Sequence, residues 1–200
     1  MKNQTINTRN NWTLLRSAIC ILFVMGFSLS TIAQTAYKAQ PTSKIKVNGS
    51  SNIHDWDMTA SVFTIDATFK IADNQLADVT ALSFTLPVKN LKSSKDLLND
   101  RAYKALKASQ HTRMTYVLTS ADVVPAQKLI KANGKLTIAG VTKDVPLQVN
   151  YVVNADGSIT CKGVKKIKMS DFGVEVPSFM MGAMKTSDDL EIELALNFKK

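Results

Sequence analysis

The chain has 200 residues, with 25 Lys and Arg against 16 Asp and Glu, which gives a formal net charge of +9. Hydrophobic residues make up 45% of the sequence, enough for a globular core and too many for a disordered chain. Residues 34–200 contain only two arginines, Arg101 and Arg113, whereas sequence-specific nucleic-acid readers rely on arginine. We therefore expect one globular domain with no nucleic-acid partner.

Residues 1–33 have the three parts of a secretory signal peptide. A basic start without acidic residues precedes an apolar run at 18–29, which is shorter than the about 20 residues needed to span a bilayer. Thr31 and Ala33 then place small residues where a signal peptidase cleaves. The sequence predicts cleavage after Ala33, with an uncleaved anchor as the alternative, and a domain over 34–200 that is periplasmic or secreted.

Apolar and polar residues alternate along most of this domain, which is the pattern of half-buried β-strands. We predict eight or nine strands, which begin near Ile45, His54, Phe63, Leu82, Met114, Leu136, Val145, Val164 and Ile192. The alternation loses phase at Lys165–Lys166, which predicts a β-bulge there. The pair Asp188–Asp189, just before the last strand, is interpreted as a turn.

Three dipeptides between these runs have the residues that favour hairpin turns. They are Asn48–Gly49, Asn133–Gly134 and Asp156–Gly157. Hairpins join consecutive strands, so the predicted sheet is antiparallel.

One interval has no alternation and predicts a single helix near residues 94–107. Ser93 or Ser94 is suited to cap its first turn. The apolar residues that recur at helical spacing are Leu98, Ala102, Ala105 and Leu106.

Strands that are apolar on one face must hide that face, either by closing into a barrel or by packing as a two-sheet sandwich. The pattern fits both architectures, and both belong to the all-β class. A barrel of about eight strands is filled by side chains or holds one elongated ligand.

The sequence offers little material for catalysis. His54 and His111 are the only histidines, and Cys161 is the only cysteine after residue 33, so a zinc site of three His and Cys ligands cannot form without carboxylates. Asp55 and Asp57 lie about 7 Å apart on one strand face, which suits either a cation or acid–base work, or a solvated surface. We expect no enzyme activity, no cofactor and no metal, and we expect Cys161 to be a small apolar strand residue.

Two features have both a structural and a ligand-binding interpretation. His54 shares a strand face with Trp56 and Met58, so it is either a core residue or a ligand contact. The segment Pro177–Gly182 contains Phe179 and Met180, and its apolar residues either pack beneath a loop or contact variable apolar ligands, which Met suits.

Several short motifs, taken in order, resemble the YceI-like family. The most recognisable is Gly134–Lys143, a GxLTxxGxTK-type hairpin, and it is followed by a DFG element at Lys168–Gly173. The other matching segments are Ile53–Trp56, Pro87–Val88, Ala105–His111, Met114–Tyr116 and Asp188–Leu194.

The resemblance implies an exported, lipocalin-like antiparallel β-barrel, of a family also called polyisoprenoid-binding. It implies an isoprenoid or other long-chain lipid as partner, held in the lumen for carriage or sequestration. The alternative is a non-catalytic stress or interaction barrel whose lumen is filled by its own side chains. The natural lipid, the oligomeric state and peripheral membrane contact stay open. The expected ligand-binding residues are His54, Trp56, Met58, Phe84, Leu86, Tyr116, Leu118, Phe179 and Met180.

The sequence departs from the family pattern in two places. Thr112 stands where many members carry Pro, a change that affects only loop geometry. Asp55 and Trp56 replace the smaller residues often found after the histidine. A bulky Trp56 that points inward is expected to shorten or fill the cavity.

Overall fold

A computed structural model describes residues 34–179 and 184–200, and the signal peptide predicted over residues 1–33 lies outside them. The described residues form twelve antiparallel strands and one α-helix, α1 (Asp96–Ala105). The strands are β1 (Gln34–Ala39), β2 (Lys44–Ser51), β3 (Trp56–Ala60), β4 (Thr64–Ala72), β5 (Gln75–Pro87), β6 (Leu91–Lys92), β7 (Arg113–Val124), β8 (Leu129–Ile138), β9 (Val141–Val153), β10 (Ile159–Lys168), β11 (Ser178–Phe179) and β12 (Met184–Lys199).

Eight of these strands close into a ring, which confirms the predicted barrel. The order around the ring is β1, β4, β5, β7, β8, β9, β10 and β12. Pairing of Lys38 with Lys199 and of Ala39 with Phe198 joins the last strand to the first. The long strand β12 also pairs with β2, through residues that precede those paired with β1. Beyond β2, the sheet continues with β3, which pairs with β2, and then with β6, which pairs with β3.

The alternation of the sequence decides which face of each strand points into the ring. In β4, Ile65, Ala67 and Phe69 are buried, whereas Thr64 and Asp66 are exposed. Removing apolar side chains from water contributes about 25 cal/mol per Å² of apolar area. The apolar faces of the ring strands therefore form one continuous core.

Three aromatic side chains close the barrel at the end where β4 turns into β5 and β9 turns into β10. Tyr37, Phe69 and Phe198 are each 1% exposed, and their rings meet edge to face at centroid distances of 5.1 and 5.3 Å. The Tyr37 hydroxyl donates to the carbonyl oxygen of Gly157 at 3.3 Å, so it ties this cluster to the β9–β10 turn. We call this the closed end.

At the opposite end, which we call the open end, α1 and a short 3-10 turn over Ser170–Phe172 lie beside the strand ends. The Tyr103 hydroxyl of α1 donates to the carbonyl oxygens of Lys89 and Leu91, each at 3.0 Å. No residue of α1 is fully buried. Within the part of the chain that the structure describes, no helix is long and apolar enough to cross a membrane.

The helix predicted near residues 94–107 is confirmed, but its predicted cap is wrong. Lys95 occupies the N-cap position and makes no side-chain capping bond. The side chain of Asn99 instead bonds to the backbone of Ser93, accepting from its N–H at 2.7 Å and donating to its carbonyl at 3.2 Å. The first turn is thus held by a helix residue that reaches back to the preceding segment.

Only one of the three predicted hairpin turns is a turn. Asp156–Gly157 joins β9 to β10, and Gly157 has φ +76°. Asn48–Gly49 lies within β2 and Asn133–Gly134 within β8, so those two predictions are wrong. These two glycines serve close packing, since a Cβ on Gly49 would overlap the Trp56 ring and one on Gly134 would overlap the Tyr116 ring.

The hairpin of the GxLTxxGxTK motif turns six residues later than Asn133–Gly134 would place it. Ile138 pairs with Val141, so Ala139 and Gly140 form a two-residue loop, and both have positive φ, at 48° and 83°. Two successive positive φ angles are what a type I′ hairpin turn requires.

Two predictions about the last strands are also corrected. The register of β10 with β12 runs unbroken from Ile159 to Lys168, so there is no bulge at Lys165–Lys166. Asp188–Asp189 is part of β12, which begins at Met184 rather than after this pair. Pairing with β2 extends the strand, and its register shifts between Thr186 and Leu190.

Replacing Gly49 by Ala tests the contact that keeps this glycine in a strand. The new Cβ would collide with the Trp56 ring, and overpacking of this kind costs about 1 to 3 kcal/mol of unfolding free energy. In a Trp56→Leu background the same change should be neutral or should stabilise the fold by up to about 1 kcal/mol. Without the ring to collide with, the remaining effect of Ala is to reduce the conformational entropy of the unfolded chain. Urea unfolding of the four proteins in a double-mutant cycle measures both costs. An equal loss in both backgrounds would show that the ring is not the cause.

Candidate ligand-binding cavity

The barrel encloses a cavity of about 530 Å³. Among its lining residues in β12, those from Leu190 to Phe198 span eight steps of about 3.4 Å, or about 27 Å along the strand. Barrel strands tilt by about 40°, so this corresponds to about 20 Å along the barrel axis. The volume falls within the range of about 300 to 1,000 Å³ that ligand pockets occupy. Side chains therefore do not fill the lumen.

The cavity is lined by apolar side chains from its closed end to its middle and beyond. Phe69 and Phe198 form its floor, and Tyr37 packs against the Phe69 ring. The apolar side chains above this floor come from most of the ring strands and include Ile65, Val79, Leu82, Ile130, Ala132, Leu147, Val149, Ile192, Leu194 and Leu196.

Seven of the nine predicted site residues line this cavity. Met58, Leu86 and Tyr116 are buried, whereas Trp56, Phe84 and Leu118 are half-buried and His54 is exposed. The side chain of Phe179 and all of Met180 lie outside the described residues. The seven are His54, Trp56, Met58, Phe84, Leu86, Tyr116 and Leu118.

His54 and Trp56 lie at the open end rather than in the core. His54 is exposed and precedes β3, where its carbonyl oxygen accepts from the Ser51 N–H at 3.1 Å and from the Ser51 hydroxyl at 2.8 Å. The interpretation of His54 as a core residue is therefore wrong. Trp56 is half-buried against Gly49. It lines the cavity beside His54, at the entrance, and leaves the lumen open.

The polar residues that line the cavity are concentrated at this open end. β10 runs from the closed end, where Ile159 pairs with Phe198, to the open end, where Lys168 pairs with Asp189. The charged and hydroxyl-bearing groups come from the end of β2 and the start of β3 with the segment between them, from α1 and the segment that leads into it, and from the open-end parts of β10 and β12. They are Ser51, His54, Asp55, Asp57, Ser93, Ser94, Lys95, Arg101, Lys165 and Thr186.

The carboxylate pair Asp55 and Asp57 has the character of a solvated surface. Both residues are exposed, and Asp57 forms an ion pair with Lys46 at 3.9 Å. Across residues 34–179 and 184–200, no three His, Cys, Asp or Glu side chains lie close enough together to hold a metal ion.

Buried titratable groups in the wall stay neutral at ordinary pH. Burial raises the pKa of Tyr116 to about 12, and its hydroxyl donates to the carbonyl oxygen of Val145 at 3.4 Å. Burial also raises the pKa of the Cys161 thiol to about 12. Cys161 is 3% exposed in β10, as expected for a small apolar strand residue. The middle of the cavity therefore carries no charge from these two groups.

The DFG element holds the 3-10 turn against β12 at the open end. The Ser170 hydroxyl and N–H donate to the two carboxylate oxygens of Asp188 at 2.5 and 2.8 Å. These two bonds lower the pKa of the Asp188 carboxyl below its usual value, and the bond from the hydroxyl has the larger effect. The turn buries Phe172 and Val174, which both line the cavity.

An eight-stranded antiparallel ring around an apolar, ligand-sized lumen defines a lipocalin-like barrel. Within that class the chain belongs to the YceI-like domain family, whose model matches residues 37–198. The resemblance seen in the short motifs is thereby confirmed. No curated protein matches the chain in sequence.

Solved structures with the same fold come from several bacteria. Burkholderia cenocepacia BcnA is 20% identical with a TM-score of 0.67, over 80% of this chain and 98% of that one. The Campylobacter jejuni YceI protein is 22% identical with a TM-score of 0.55, over 68% and 81%. A polyisoprenoid binding domain from Saccharophagus degradans, implicated in plant cell wall breakdown, is 14% identical with a TM-score of 0.62, over 82% and 97%. At these identities the likeness establishes the fold.

The burial of Cys161 predicts a thiol that does not react while the protein is folded. Only the thiolate is nucleophilic, and a pKa of about 12 leaves almost none of it at pH 8. We expect a disulfide-exchange reagent at pH 8 to label the native protein at least about a hundredfold more slowly than the urea-unfolded protein. Labelling at the same rate in both states would contradict the buried placement.

Proposed function

We propose that the protein is an exported, non-enzymatic carrier or sequestering protein that holds an isoprenoid or other long-chain lipid in the barrel. The observation that carries this proposal is the uneven distribution of polar groups along the cavity. Its floor and middle are apolar, and its polar groups are concentrated at the open end. An amphiphile with one tail and one head has the same distribution, so the tail would lie toward Phe198 and the head beside His54.

Burial of the tail supplies the binding free energy. Each methylene removed from water contributes about 0.8 kcal/mol, so ten methylenes contribute about 8 kcal/mol before the cost of ordering the chain. An apolar wall forms no directional bonds with a tail. Selection would therefore depend on length and shape, with the aromatic floor at Phe69 and Phe198 setting the maximum depth.

The fold neighbour from Saccharophagus degradans supports the lipid class, because that protein is described as a polyisoprenoid binding domain. The chemistry of the wall supports a role without catalysis. Cys161 is the one cysteine that lines the cavity among the described residues, and it is protonated at neutral pH.

Exchange of the lipid at a membrane surface completes the proposal. Two large apolar side chains are exposed beside the open end, Ile53 at 59% and Leu97 at 61%. Lys95 adjoins Leu97, and basic residues near an anionic lipid surface each contribute about 1 kcal/mol of attraction. Peripheral contact at this end would bring the entrance of the cavity to the lipid.

Placing a charge in the lumen tests lipid binding directly. Leu118 lines the cavity, whereas the adjacent Val117 points outward and is exposed. Leu118→Lys puts an ammonium group against the lipid tail and should lower the lipid recovered per mole of protein by at least about tenfold. Val117→Lys, which adds the same charge outside, should leave recovery unchanged.

The measurement is solvent extraction of each purified protein followed by mass spectrometry, with circular dichroism to confirm the fold. Trp56→Ala extends the experiment, since it widens the entrance and should admit bulkier lipids. Wild-type protein that yields no lipid, or folded Leu118→Lys protein that yields the wild-type amount, would refute the proposed function.

Export predicts a defined start for the mature protein. Because Thr31 and Ala33 are the small residues before the cleavage point, the protein isolated from its native host should begin at Gln34. Intact-mass measurement of the periplasmic and membrane fractions tests this directly. A full-length, membrane-bound species would contradict the proposed export.

A further inference from the structure

The pair Val164 and Lys165 reverses the usual polarity of a barrel strand. Ile159, Cys161, Lys165 and Ile167 occupy alternate positions of β10, and the last three of these line the cavity. Val164 lies between them on the outer face and is 56% exposed. The strand therefore exposes an aliphatic side chain to water while it turns a half-buried lysine toward the cavity at its open end.

The next two lysines of β10, Lys166 and Lys168, have acidic partners, and among the described residues Lys165 has none. On the outer face, Lys166 pairs with Glu191 at 3.9 Å and Lys168 with Asp189 at 3.5 Å, each to the residue opposite it in register. Lys165 stands opposite Ile192, which also lines the cavity. Within the described residues, the Lys165 ammonium makes no hydrogen bond or ion pair.

An ammonium group has three N–H donors and no acceptor, and leaving them unsatisfied away from water is costly. Lys165 is half-buried, so part of this cost applies, and the chain could avoid it by exchanging the two residues, since Val suits the lumen and Lys suits the surface. The cations Lys95 and Arg101 line the same open end of the cavity. Two carboxylates, Asp55 and Asp57, line this end as well, and Asp57 pairs with Lys46. The acids that flank Ile192 in β12, Glu191 and Glu193, bond to Lys166 and to the Asn48 amide, so neither neutralises Lys165.

We propose that Lys165 binds the anionic head group of the ligand, either a carboxylate or a phosphate ester. The inference rests on the proposed function and narrows it, because it selects acid-headed lipids over alcohols and other neutral lipids. Charge-assisted hydrogen bonds to such a head are stronger than those to a neutral oxygen. The ammonium is a compact point charge, so it can donate hydrogen bonds to either head group without a fixed bidentate geometry.

The test uses delipidated full-length mature protein and three probes with the same tail: hexadecanoic acid, hexadecyl phosphate and hexadecanol. Wild-type protein should bind at least one of the two anionic probes about tenfold or more tightly than the alcohol by isothermal titration calorimetry. The tighter of the two identifies whether the head is a carboxylate or a phosphate.

The variant Lys165→Met keeps the length of the side chain and removes its charge. It should lose the preference for the anionic probe, by about tenfold or more, and bind the alcohol as tightly as wild type or more tightly. The matched control is Lys166→Met, one residue away on the outer face, which should behave as wild type. Lys165→Arg should restore the preference, which a merely structural role for the side chain would not explain.

The possible results distinguish a failure of the Lys165 inference from a failure of the proposed function. If wild-type protein binds all three probes equally, or if Lys165→Met keeps the full preference, Lys165 does not bind the head and the carrier function stands. If none of the probes binds to wild-type protein, the proposed function itself fails and this inference fails with it. Retained binding of hexadecanol by Lys165→Met shows that the variant is folded with its cavity intact.

Discussion

The pairing of Lys38 and Ala39 in β1 with the last residues of β12 is the contact on which the rest of this structure depends. It turns a sheet into a ring, so the inward positions of eight strands share one lumen. The same contact brings Phe198 beside Tyr37 and Phe69, and these three rings close one end. A ring sealed at one end has a single polar entrance, and that asymmetry underlies the proposed function.

Local patterns predict the parts of this fold that local forces decide. Alternation indicates the inward face of β4, and helical spacing indicates α1. The dipeptides Asn48–Gly49 and Asn133–Gly134 have the composition of turns, yet they lie in strands. Distant aromatic rings occupy the space that a side chain at either glycine would need. Such a contact between separate strands leaves no mark in the residues next to the glycine.

The residues that line the cavity were predictable from the sequence to a similar extent. Phe84 and Leu118 follow from the alternating faces, because an inward side chain in a hollow barrel lines its lumen. Lys165 is missed for a physical reason, since a charged residue at an inward position looks the same as a strand that has lost its phase. The unbroken register of β10 with β12 separates the two interpretations. The closed end also depends on pairing between the two chain ends, and alternation carries no record of that.

A crystal structure of the protein purified from its native host without lipid extraction tests the central claim most directly. The account predicts continuous, elongated electron density that starts against Phe69 and Phe198 and widens beside Lys165 at the open end. A lumen that contains only ordered water, or one into which the side chains have collapsed, would contradict it.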